Sequence, residues 1–125
     1  MEDMLQETEA VSIGTISTAV SALLQEHNGQ DVCVLDLRGF SSWTDFFIIA
    51  TVTSNTHMDG LEKYVKEFCR EKNVEILGCS RKSQDDEWRL IDLGSIIIHL
   101  MNKRVREFYE LERLWTPIPA SAVNE

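Results

Sequence analysis

Phe46-Phe47-Ile48-Ile49-Ala50-Thr51-Val52 is apolar almost throughout and rich in β-branched and aromatic side chains. A run of that kind is a strand, and one without polar alternation is buried on both faces, so it belongs at the centre of a sheet. Upstream, Val32 to Leu37 has the same character and is set off by Gly39, Ser41 and Ser42, so the two read as adjacent strands. Downstream, Thr53 and Ser54 are candidate N-caps, and Met58, Leu61, Val65, Phe68 and Cys69 then recur at helical spacing. A strand, a cap and a helix in succession make half of a βαβ unit. Val74 to Cys79 is the expected return strand, parallel to an earlier one.

Further out, Ile13, Ile16, Val20, Leu23 and Leu24 predict an amphipathic helix over 13–27, stopped by Asn28-Gly29. Beyond the charged stretch Arg81 to Glu87, Trp88 to Leu93 and Ser95 to Met101 read as a hairpin joined tightly at Gly94. Val105, Phe108, Leu111, Leu114 and Trp115 form a last helical stripe, and Thr116-Pro117 and Pro119 end regular structure. The order α-β-β-α-β-β-β-α describes one α/β (α+β) domain with a five-stranded mixed sheet flanked by helices. Residues 1–12, with Glu2, Asp3, Glu7 and Glu9, are expected as an acidic, mobile start, 13–115 as the domain and 116–125 as a loose tail.

The bulk composition narrows the function. A chain of 125 residues, 43% hydrophobic and 26% charged, suits a single core, and no apolar run approaches the ~20 residues of a membrane span. A net charge of −9 disfavours tracking a phosphate backbone and favours basic protein partners over specific nucleic-acid binding. Cys33, Cys69 and Cys79 are odd in number and lack CxxC pairing, which argues against disulfides and zinc. With no secretory signal pattern, a cytoplasmic protein is expected.

No catalytic constellation is legible. His27, His57 and His99 are far apart and have no metal-ligand neighbourhood; His99, within an apolar strand, must find hydrogen bonds and reads as a structural histidine. Asp36, Asp45 and Asp92 could hold magnesium only if the fold converged them, and Asp85-Asp86 are consecutive, so on a strand they would point to opposite faces. There is no Walker-type glycine loop and no GxSxG elbow. No cofactor or metal is expected.

One strand carries a different signal. Period two puts Trp88, Leu90 and Asp92 on one face and Arg89, Ile91 and Leu93 on the other. Trp88 either covers the core while Asp92 caps the hairpin, or the row is an interface hot spot, where tryptophan is enriched and an acid adds specificity. The last helix, basic early and acidic later, runs against its dipole, and Tyr109 and Trp115 add amphipathic surface to an otherwise solvated face.

The blocks Val34-Leu35-Asp36-Leu37-Arg38-Gly39, Ser41 to Thr51, Thr53-Ser54, Trp88 to Gly94, Ile96 to His99 and Arg106 to Trp115 together resemble the Iojap and ribosomal silencing factor family. Val52 departs from the pattern, which usually has glycine there. The resemblance implies a nucleotidyltransferase-like fold without that superfamily's active site and a non-enzymatic protein that binds the large ribosomal subunit through ribosomal protein L-fourteen. By that contact it would block subunit joining and lower translation when nutrients are scarce. The matching interface residues are Trp88, Leu90 and Asp92, with Tyr109 on the last helix, and family members often form homodimers. The alternatives are a nucleotidyltransferase-type enzyme and a large-subunit assembly adaptor.

Overall fold

A computed structural model of the chain describes residues 2–39, 41–81, 87–111 and 113, with 2–12 as backbone only. The element order is α1 (Glu2–Glu26), β1 (Gln30–Asp36), β2 (Phe46–Val52), α2 (Asn55–Glu71), β3 (Gly78–Arg81), β4 (Trp88–Asp92), β5 (Ile96–Asn102) and α3 (Lys103–Tyr109). The strands form one mixed sheet in the order β1-β2-β5-β4-β3. Every residue of β2 is buried, as its unbroken apolar run requires, because it lies between β1 and β5 with side chains covered on both faces.

Alternation along the strands divides the core. Phe46, Ile48, Ala50 and Val52 of β2, Ile91 of β4, and Ile96, Ile98 and Leu100 of β5 face α1 and α2, which contribute Val20, Leu24, Met58, Leu61, Val65 and Cys69. Phe47, Ile49, Ile97 and Met101 point to the opposite face, where they meet Leu35, Leu37, Val105 of α3 and Leu111. Val52 is the last residue of β2 and is buried in the first of these clusters.

Local chemistry fixes the element ends. Ser54 caps α2 by accepting the His57 N–H at 3.0 Å, and Asn102 caps α3 by accepting that of Val105 at 2.9 Å. Asn28 adopts a left-handed φ of 71° after α1. Gly29 follows because an added Cβ would lie 2.7 Å from the Leu24 carbonyl oxygen. His57 ties the two helices together: the Thr53 N–H donates to its Nδ1 at 3.1 Å, so its Nε2–H donates to the His27 carbonyl at 2.9 Å. The His27 ring stacks on Tyr64 at 3.6 Å. Both histidines thus help to hold α1 against α2.

Three expectations are corrected. α1 begins at Glu2 rather than near residue 13, so the acidic start has helical backbone. Its methionine, leucine, glutamine, glutamate and alanine are good helix formers, and acids are favoured near a helix N-terminus. The return strand is β3 at Gly78–Arg81, antiparallel to β4 at the sheet edge, not a parallel strand over 74–79. Both sides of β2 are already taken by β1 and β5, so the parallel partner of β2 is β5, reached only after the β4–β5 hairpin. Phe108, placed in the apolar stripe of the last helix, is 77% exposed. α3 ends at Tyr109 and the chain turns through left-handed Glu110, so Leu111 rather than Phe108 enters the core. The expected tail 116–125 lies outside the described residues.

Candidate functional site: an aromatic strip beside the last helix

β4 alternates in burial, with Arg89 and Ile91 inside and Trp88, Leu90 and Asp92 partly exposed on the face away from α1 and α2. That places three of the predicted site residues on one surface. The fourth joins them: the Tyr109 ring of α3 lies 4.9 Å from that of Trp88, and Tyr109 is 47% exposed. The connection depends on Val105, which anchors α3 in the cluster beneath, and on the cap at Asn102 that starts the helix directly from β5.

The exposed rings are linked to one another through buried ones, Phe47 and His99. Rings follow one another from Trp43 to Phe47 (5.8 Å), Phe47 to His99 (4.6 Å), His99 to Trp88 (5.9 Å), Trp88 to Tyr109 and Tyr109 to Phe108 (5.0 Å). Trp43 at one end is 56% exposed. Trp43, Phe47 and Phe108 come from a loop, a buried strand and a helix, so no local spacing in the sequence relates them. The signal available for His99 was its place in an apolar strand. It is buried, and its Nδ1 accepts the Trp88 Nε1–H at 3.0 Å.

The acids take distinct roles. Asp92 accepts the Gly94 N–H through Oδ1 at 2.8 Å, and Gly94 supplies the φ of +87° the turn requires, so the expected hairpin cap is present on a residue that also faces outward. Asp36 takes a bidentate bond from Arg38, which holds its carboxyl below the usual carboxylate range. Among the described residues, no group of three histidine, cysteine, aspartate or glutamate side chains could hold a metal ion. None of their helices is long and apolar enough to cross a membrane.

A polar groove on the helical side is lined by Asp59, Glu62, Lys66, Cys79, Ser80, Arg81 and Arg89. Its charges largely satisfy one another. Arg89, only 4% exposed, bonds Asp59 at 2.6 Å and Glu62 at 3.0 Å, and Lys66 bonds Glu62 at 2.6 Å. Burial pushes the Glu62 carboxyl up, but hydrogen bonds from Lys66, Cys79 and Arg89 and the charge of Lys66 together hold it below its usual range. The Cys79 thiol is pushed up by burial and by Glu62, the reverse of what a nucleophile needs.

The fold and this surface define a small α/β protein whose mixed sheet carries α1 and α2 on one face and, beside α3 on the other, a partly exposed strip of aromatic and acidic side chains. The family model described as "Ribosomal silencing factor during starvation" matches residues 10–125, and the chain belongs to that family. It is 35% identical over 106 residues to the ribosomal silencing factor RsfS of Treponema pallidum, covering 84% of this chain and 94% of that protein. It is 37% identical over 101 residues to the mouse protein named mitochondrial assembly of ribosomal large subunit protein 1, covering 76% of this chain and 42% of that one. A crystal structure of a Chromobacterium violaceum protein, 31% identical, superposes with a TM-score of 0.77 over 86% of this chain and 90% of that one.

Proposed function

We propose that this protein binds the large ribosomal subunit in the cytoplasm through ribosomal protein L-fourteen, sterically blocks joining of the small subunit and so represses translation under nutrient limitation. The observation that carries the reading is the strip formed by Trp88, Leu90, Asp92 and Tyr109, where partly exposed aromatics stand beside an outward carboxylate. Such a combination suits a protein hot spot, and a net charge of −9 suits a basic ribosomal partner. The protein would act by occupying a surface rather than by turnover. The name of the mouse relative favours a second reading, in which the same contact serves assembly of the large subunit.

Co-sedimentation with separated ribosomal subunits tests the binding. The protein should pellet with large subunits and not with small ones, and should keep added small subunits from joining. Equal binding to both subunits would refute the reading, whereas binding without a block on joining would favour the assembly role. The family resemblance also implies a homodimer, which sedimentation of the free protein reads directly.

A further inference from the structure

Trp88 is held from beneath. β4 and β5 set Leu90 opposite His99 and Trp88 opposite Met101, so Trp88 reaches His99 diagonally across the pair and donates its Nε1–H to Nδ1 at 3.0 Å. An indole nitrogen can only donate, so Nδ1 accepts and the imidazole carries its hydrogen on Nε2. His99 is itself fixed: it is 4% exposed, on a central strand, with the Phe47 ring edge-on at 4.6 Å. The same indole meets the exposed Tyr109 ring. One hydrogen bond therefore links a buried strand to a partly exposed side chain of the strip.

We propose that His99 is a positioning residue of the binding surface: through Nδ1 it holds the Trp88 indole in a single orientation against Tyr109, and this pre-arrangement sets how tightly the strip grips its partner. The affinity part of the proposal rests on the ribosome-binding reading above; the clamp itself does not. A large aromatic side chain on a partly exposed strand otherwise samples several rotamers, and ordering it on contact weakens binding. A buried acceptor removes that cost in advance, as supporting hydrogen bonds do for rigid recognition sites generally.

The test separates the acceptor from the ring. His99→Phe keeps a ring beside Phe47 but has no acceptor. His99→Asn loses the ring but puts a side-chain oxygen close to where Nδ1 stood. In ¹⁵N-labelled protein, the Trp88 indole N–H resonance, assigned by its loss in Trp88→Phe, should shift and exchange faster with solvent in His99→Phe. That variant should bind large subunits about tenfold more weakly. His99→Asn should return the resonance towards its wild-type position and restore most of the affinity. Should either histidine variant fail to fold, exchange of the wild-type Trp88 indole N–H with solvent still decides the clamp: a hydrogen-bonded N–H is protected, and one that exchanges as fast as a free indole overturns it. An indole resonance unmoved in His99→Phe overturns the clamp, and a moved resonance with undiminished affinity overturns its role in binding. A wild-type protein that ignores large subunits instead refutes the ribosome-binding reading, while the resonance still decides the clamp.

Discussion

Replacing Trp88 by alanine separates its two roles, because the structure assigns it a share of each. Its ring packs against the cluster containing Met101 and Val105, but the residue is partly exposed. A fully buried tryptophan changed to alanine costs roughly 3–5 kcal/mol, and the exposed part of Trp88 lowers that figure. The change also strips His99 Nδ1 of its donor, and an orphaned buried acceptor costs about 1–3 kcal/mol. A net loss of about 3 kcal/mol follows, which for a domain of this size lowers the melting temperature by roughly 10 °C. Binding should weaken by ~2 kcal/mol or more, about thirtyfold, if the indole is a central anchor. Thermal unfolding followed by circular dichroism reads the first quantity, and titration of large subunits well below the lowered melting temperature reads the second. A Trp88→Ala protein that is folded at the assay temperature and binds as tightly as the wild type would return Trp88 to a purely covering role.

Phe108→Ser should leave the melting temperature within a degree or two, since the ring is 77% exposed, but should weaken large-subunit binding severalfold; equal affinity would place Phe108 outside the interface. Because the Glu62 carboxyl is held low in the folded chain, its contribution to stability is present above the usual glutamate range of about 4.3 and is lost as pH falls through its lower folded value. Lys66→Met should shrink that acid-side loss, read from urea unfolding at several pH values, and an unchanged pH profile would count against the network. Affinity for large subunits should fall as salt rises, because an acidic binder gains from steering that is screened beyond ~8 Å at physiological ionic strength; a flat response would remove charge from the account.

Local pattern revealed what local physics controls. The unbroken apolar run 46–52, the helix of Met58, Leu61, Val65 and Cys69, and the Gly94 hairpin all appear where period and turn chemistry place them. The strand face of Trp88, Leu90 and Asp92 follows from alternation alone. The illegible parts depend on partners distant in sequence. Nothing near residue 78 shows that both sides of β2 are taken, so the direction of β3 could not be read. Nor does any spacing show that His99 sits diagonally across from Trp88, or that the chain turns at Glu110 and leaves Phe108 outside.

The central pairing also governs how the chain reaches its native state. β2 and β5 align Phe46 with Ile96 and Val52 with Asn102, partners fifty residues apart in the chain. The pairs β1–β2 and β4–β5 are local antiparallel ladders, joined through residues 37–45 and 93–95 respectively. Such hairpins close in microseconds, whereas a parallel seam between distant segments must first overcome the entropy of closing the intervening loop. Pairing β2 with β5 should therefore be a slow step of folding. Until it is made, both strands present an apolar edge, and an unpaired edge of that kind is a template for aggregation.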